Sequence, residues 1–430
     1  MKSLKCFARS ISSGLLVVSA LASGSICAAP LEPVLALAKQ EQPAFLQTLK
    51  QLVSIESGSR DREGLDAISQ VIAEQLKGLG GKVELIEPPE DVTRGLPPGE
   101  RLGRMVHARF EGSGSKKILL IAHMDTVYPR GMLQTRPFRI EGDRAYGLGI
   151  SDDKQGIALI MHGVSVLKQM NFKDYGLVTV LINADEEIGS RASRAMITKL
   201  GAEHDATLSF EPSYANADLL SLSTAGIGSV TLNVTGKASH AGSAPDKGRN
   251  ALYELSHQIL QMRDLSDPSI GMKMNWTVAK AGEVRNVIPA DATAYADVRV
   301  LRVSDFDLLE PKVKERVKHQ LIPDTTVEVK FARGRPPLEK TPASVALAKH
   351  AQGIYTELDK SLMVDEVAAG GGTDAAYAAL KTKAAVIERF GIQGGGGHTA
   401  DQEHIVIDSI VPRLYLLTRM IMDISQGKAQ

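Results

Sequence analysis

At 430 residues the chain is too long for one simple core and predicts two domains. Hydrophobic residues make up 43% and charged residues 23%, ordinary values for a globular protein. Its 50 basic and 50 acidic residues give a formal net charge of zero, which offers no electrostatic support for a nucleic-acid or anionic-membrane partner.

Lys2, Lys5 and Arg9 form a basic start, residues 11–22 are largely apolar, and Ser25-Ile26-Cys27-Ala28-Ala29 is rich in small side chains. Residues 1–28 therefore read as a secretory signal, too short and wrongly flanked for a lasting membrane span, and a periplasmic or secreted location is expected. Both cysteines, Cys6 and Cys27, lie inside this segment. The processed chain would then hold no thiol, which excludes disulfides, cysteine nucleophiles and cysteine metal ligands. It would also lose three basic residues and no acids, leaving it mildly acidic. No later stretch approaches the ~18 apolar residues of a transmembrane helix.

Helical periodicity follows at residues 45–55, 64–79 and 156–170, alternating with apolar runs that read as strands. This alternation predicts an α/β fold: a mixed, mostly parallel sheet with helices on both faces. Around Thr224 the texture changes. Residues 228–234, 292–300 and 325–331 alternate with period two, and 250–262 and 305–319 are helical. An α+β domain over 223–336 is expected, inserted between the two parts of a catalytic domain, 29–222 and 337–430.

Candidate ligands stand at the ends of the apolar runs. Residues 118–122 deliver His123 and Asp125, and the turn Gly147-Leu148-Gly149-Ile150-Ser151 delivers Asp152 and Asp153. Residues 177–182 lead to Asp185-Glu186-Glu187, 206–210 end in Glu211, and 384–387 lead through a glycine run to His398. In an open parallel sheet, ligands gather outside the carboxyl ends of the strands, so these side chains are expected to converge. His123 and Asp125 are two apart and share one face of a strand; the aspartate is placed to accept the second ring N–H of a metal-binding imidazole. Three convergent carboxylates, Asp152, Glu187 and Glu211, would repel one another without cations. Two divalent ions and a shared hydroxide balance their charge, which favours two metals over one. The oxygen and imidazole donors suit zinc, with cobalt or manganese as substitutes. Glu186 beside Glu187 leaves one carboxylate for metal and one to take a proton from a metal-held water.

His123-Met124-Asp125-Thr126-Val127, Gly149-Ile150-Ser151-Asp152-Asp153-Lys154, Asp185-Glu186-Glu187-Ile188-Gly189-Ser190 and Gly397-His398 resemble the co-catalytic zinc aminoacylase/carboxypeptidase family, nearest its glutamate carboxypeptidases of the G type. The likeness extends through Phe210-Glu211-Pro212, Gly236-Lys237-Ala238-Ser239-His240-Ala241-Gly242 and Gly370-Gly371-Gly372-Thr373-Asp374, nearly the whole processed chain in one order. It implies two zinc ions bridged by Asp152, one completed by His123 and Glu211, the other by Glu187 and His398. Glu186 would be general base and then general acid, and the Asp152–Asp153 peptide would be cis. It further implies that the inserted domain forms a homodimer and that His240 crosses to the partner subunit to stabilise the oxyanion. Asn286, Arg299, Arg335 and Thr373 would bind the substrate carboxylates, arginine suiting this through paired hydrogen bonds. The unbroken run Gly394 to Gly397 departs from the family pattern and predicts a more mobile ligand loop. The expected substrate is a peptide or N-acyl amino acid ending in glutamate. An N-acyl-amino-acid deacylase using the same chemistry, and a non-catalytic solute-binding protein, are the alternatives. Retention of an intact glutamate conjugate in the presence of zinc would favour the latter.

Overall fold

The computed structural model describes residues 29–94, 96–97, 100–368 and 370–429. The expected signal segment lies outside the described residues. Among the described residues no helix is long and apolar enough to cross a membrane.

The larger unit is built on a six-stranded sheet in the order Lys82–Ile86, Met105–Glu111, Leu177–Asn183, Lys117–His123, Ala206–Ser209, Ala385–Ile387. The first two pairings are antiparallel and the remaining three parallel, so the parallel part is the half that carries the candidate ligands. The strand Lys117–His123 shows why the run 118–122 is apolar throughout. Ile118, Leu120 and Ala122 enter one core with the helices Glu32–Val53, Gln155–Gln169 and Ile410–Ser425. Leu119 and Ile121 enter a second core with Ile197 and Leu200 of Arg194–Glu203 and with Ala375, Ala376 and Ala378. A strand buried on both faces cannot alternate, and this one does not.

The first helix begins earlier than its periodicity suggests. It spans Glu32–Val53 with Pro43 inside it, and its buried stripe Val34, Ala38, Phe45, Leu49, Leu52 runs straight past the proline. The missing proline N–H costs one helical hydrogen bond, and packing of the stripe carries the helix through.

Residues 226–333 form a second unit, an antiparallel sheet in the order Lys273–Ala281, Asp291–Val300, Gly226–Thr235, Thr326–Arg333. Helices Ala251–Gln261 and Val303–Arg316 cover one face, burying Val230, Leu232, Val234, Leu255, Phe306 and Leu309. Gly226–Thr235 alternates buried and more exposed positions along its length, as a sheet packed on one side requires. The edge strand Lys273–Ala281 had no alternating signature: most of its residues are exposed, and a register shift interrupts it between Trp276 and Val278.

A smaller sheet, Arg139–Glu141, Arg144–Tyr146, His404–Val406, Gln393–Gly395, Ser213–Tyr214, lies next to the ligand-bearing ends. It explains the glycine run. Gly394 and Gly395 pair with Ile405 and His404. A Cβ at Gly394 would meet Ser151 Oγ at 2.2 Å, and one at Gly396, which has φ +70°, would meet Gln402 O at 2.3 Å. These glycines allow close packing of paired backbone at the start of the run.

Candidate metal centre

His123 and the Glu186–Glu187 pair stand where their strands of the parallel sheet end. Lys117–His123 finishes on His123 itself, and Leu177–Asn183 is followed by the single turn Glu186–Ile188. Asp152 sits in the turn Ile150–Lys154, ahead of helix Gln155–Gln169, and the Asp152–Asp153 peptide is cis. His398 takes a left-handed φ of 62°.

These segments converge as two triads. Ligand atoms of His123, Glu186 and Glu211 lie within 4.8 Å of one another, and so do those of Asp152, Glu187 and His398. Asp152 spans both: Oδ1 is 2.9 Å from His123 Nε2 and Oδ2 is 3.3 Å from His398 Nε2. His123 Nε2 is also 3.5 Å from Glu211 Oε1, and His398 Nε2 is 3.1 Å from Glu187 Oε2. The donor chemistry fits a pair of divalent cations. Four carboxylates and two imidazoles face inward, and Arg335, on Glu186, is the cation placed among them. The histidines feel the excess of negative charge. Burial disfavours the charged form of His123, yet Asp125, Asp152 and Glu211 hold its pKa well above the usual value. Asp152 and Glu187 raise His398 to about 10.

Asp125 does more than orient His123. The imidazole Nδ1 lies 3.1 Å from the Asp125 carbonyl oxygen and 3.4 Å from its Oδ1. The carboxylate also accepts from Ser59 Oγ at 2.8 Å and from the backbone N–H groups of Glu186 and Glu187, both at 3.1 Å. One buried aspartate thus fixes the turn that delivers Glu186 and Glu187.

Glu186 is buried, and burial pushes its pKa well up while Arg335 opposes the rise. Arg335 donates to the Glu186 carboxylate, to the Glu186 carbonyl oxygen at 2.7 Å and to Asp374 Oδ1 at 3.2 Å. Its side chain, expected to face a substrate, is 6% exposed and already serves two carboxylates. Arg299 is similarly engaged, gripping Asp297 through two bonds of 2.9 and 3.0 Å and donating to Gly370 O at 2.9 Å. Thr373 is buried beside Asp374 with its Oγ1 unpartnered. Arg299, Arg335 and Thr373 therefore gather around the loop Gly370-Gly371-Gly372, against which Arg335 packs closely.

Asn286 is placed elsewhere, its carbonyl oxygen accepting from Ala241 N at 2.9 Å beside His240. His240 lies exposed in the short strand Ser239–His240, paired with Val287–Ile288. Its Nδ1 accepts from the N–H groups of Gly242 and Ser243, each at 3.1 Å, so in the neutral ring Nε2 carries the proton. Among the described residues, His240 joins neither triad of its own chain.

Three residues have supporting roles that the sequence reading did not assign, although Asp374 stood inside one of its motifs. Gln155 donates to Phe210 O at 2.7 Å and accepts from Ile392 N at 2.8 Å, tying the segments that bear Glu211 and His398. Asp374 anchors Arg335 and accepts from Asn183 and Ser190. Glu403 binds the Asp152 turn. Each is a single polar residue whose partners lie far away in sequence, so no local pattern marks its role.

Beside Glu187 a cavity of about 730 Å³ opens, lined by Ser59, Arg60, Val127, Tyr128, Pro129 and Ile188.

The model of peptidase family M20/M25/M40 matches residues 119–423. Carboxypeptidase G2 of Pseudomonas sp. (strain RS-16) is 45% identical over 391 residues, covering 91% of this chain and 92% of that protein. Among solved structures, aminopeptidase PepT from Bacillus cereus superposes with a TM-score of 0.74 at 21% identity, over 89% of this chain and 98% of that one. An M20 family metallo-carboxypeptidase from Sulfolobus solfataricus does so with a TM-score of 0.69 at 18% identity, over 88% and 98%. At those identities the structures speak for the fold alone.

Proposed function

Since the chain belongs to peptidase family M20/M25/M40, we propose that it hydrolyses the amide bond to a C-terminal amino acid, with glutamate preferred, using two zinc ions. The observation that carries this reading is Asp152, set between two histidine–carboxylate groups with Glu186 adjoining one of them. His123 and Glu211 would hold one ion, Glu187 and His398 the other, and Asp152 both; cobalt or manganese would fit the same donors. Bound there, the ions supply Lewis acidity to the scissile carbonyl and to the attacking water.

The remaining work falls to the chain's own side chains. Glu186 takes the proton of the attacking water and delivers it to the leaving nitrogen, and in the substrate-free site Arg335 stabilises the carboxylate form from which Glu186 starts and to which it returns. The acyl part of the substrate fits the cavity beside Glu187, where Val127, Pro129 and Ile188 offer apolar contact. The carboxylates of the leaving amino acid would exchange with Asp297 on Arg299 and with Glu186 on Arg335, and the free Thr373 hydroxyl would donate to one of them. Asn286 and His240 would complete the site of a second subunit, His240 through its outward Nε2–H. A homodimer through the 223–336 domain, and export of the chain to the periplasm or beyond, belong to the same reading. Membership of a peptidase family favours hydrolysis over the solute-binding alternative.

A screen of acyl-glutamate, acyl-aspartate and acyl-alanine compounds with zinc-loaded protein tests the substrate. Release of glutamate ahead of the others is expected; equal or inverted rates would reject the preference. Mixing His240→Ala with Glu186→Gln subunits tests the crossing. Activity should return in the mixture, because one composite site regains both groups, and a mixture as inactive as its components would place His240 outside the partner's site.

A further inference from the structure

We propose that Glu403 is a positioning residue for the metal centre, its carboxylate fastening the turn that carries Asp152 to the loop that carries His398. Glu403 is 1% exposed. One of its oxygens accepts from Tyr128 Oη at 2.6 Å and Gly149 N at 3.1 Å, the other from Ser151 N at 2.9 Å and Asp152 N at 3.0 Å. An ionised carboxylate has about four acceptor positions, and four donors occupy them. Such bonds to an anion are roughly twice as strong as neutral ones.

The geometry gives this grip a direction. The Asp152 N–H belongs to the residue whose carboxylate spans the two triads, so the turn cannot rotate without breaking that bond. The Glu403 carbonyl oxygen also accepts from Gly147 N at 3.3 Å, so backbone and side chain hold the same turn. On the other side, Glu403 N and Gln402 N donate to Thr399 O, each at 2.9 Å, and Thr399 N donates to Gly396 O at 2.9 Å. His398 lies within that closed loop. The strand His404–Val406 then locks its far end against Arg144–Tyr146 and Gln393–Gly395. Asp152 and His398 must approach one ion from opposite chain segments, and Glu403 sets their spacing. Glutamine at this position keeps the volume but turns an N–H2 toward donors, breaking at least one pairing at the turn.

The inference rests on the metal-centre reading, and cobalt(II) binding to the full chain separates the two. The probe is cobalt(II) in competition with a chelator, read by affinity and by visible absorption. For Glu403→Gln we expect a 10- to 100-fold loss of affinity, roughly what disturbing a ligand's support produces. A changed absorption envelope should accompany it, with a metal-free melting temperature close to the parent's. Glu403→Asp, which retains the anion, should recover part of the loss. Parent-like affinity and absorption in Glu403→Gln would overturn the proposal. If that variant does not fold, Tyr128→Phe decides, since it removes one donor and leaves the carboxylate. A smaller affinity loss with altered absorption is expected, and unchanged binding overturns the proposal. A parent chain that takes up no cobalt would remove the metal-centre reading itself, and the inference with it.

Discussion

Glu388→Gln should make the fold less sensitive to alkaline pH. Glu388 is 0% exposed and its Oε2 has no hydrogen-bond partner, while Oε1 accepts the N–H of Arg389 at 3.0 Å. Burial, reinforced by Glu211 and opposed by Ser209 and Arg389, raises its carboxyl from 4.5 to about 7. A carboxyl raised on folding favours the protonated native state. Its contribution is fully present below the unfolded value of 4.5 and is lost as pH rises through about 7. At about 1.4 kcal/mol per unit, the loss between pH 4.5 and pH 8 is on the order of 3 kcal/mol. Glutamine copies the protonated form and cannot ionise. Thermal melting of the metal-free chain at pH 5 and pH 8 measures the difference. The two proteins should melt together at pH 5, and the variant should melt roughly 3–6 °C higher at pH 8. Parallel losses in both would show that Glu388 is not the group carrying this cost.

Glu186→Gln should lower turnover by roughly 10²–10⁴-fold, as removal of a general base does, while metal content by elemental analysis stays at the parent level. Coincident loss of metal would make Glu186 a ligand instead. Asp125→Asn should weaken metal affinity by roughly 10–100-fold, because the Glu186–Glu187 turn loses its anionic anchor. Chelator competition reads this, and parent-like affinity would contradict it. Arg335→Met strips the counter-charge from Glu186 and Asp374 together. A destabilisation of roughly 3–5 kcal/mol is expected from breaking a buried pair. Selectivity for glutamate over alanine should fall with it; unchanged selectivity would remove Arg335 from the substrate site.

The ligand-bearing strand ends were legible because two physical patterns coincide at each. His123 follows a run buried on both faces, which registers as unbroken apolarity, and Glu211 follows another. The supports were not legible. Glu403 sits in a polar stretch, His398-Thr399-Ala400-Asp401-Gln402-Glu403, whose local character is that of a solvated loop. Only its approach to Tyr128 and Gly149, more than 250 residues away, buries it. Arg335 illustrates the reverse case. The family resemblance implies a carboxylate-binding guanidinium, but it cannot say that the carboxylates at hand are Glu186 and Asp374. Lys273–Ala281 went unseen because an exposed edge strand takes its place from backbone pairing with Asp291–Val300, and side-chain alternation is not required of it.

Anomalous scattering from crystals of the zinc-loaded chain tests the central claim most directly. Two peaks roughly 3.5–4 Å apart are predicted, one against His123 and Glu211, the other against Glu187 and His398, with Asp152 touching both. A single peak, or density away from Asp152, would contradict the account.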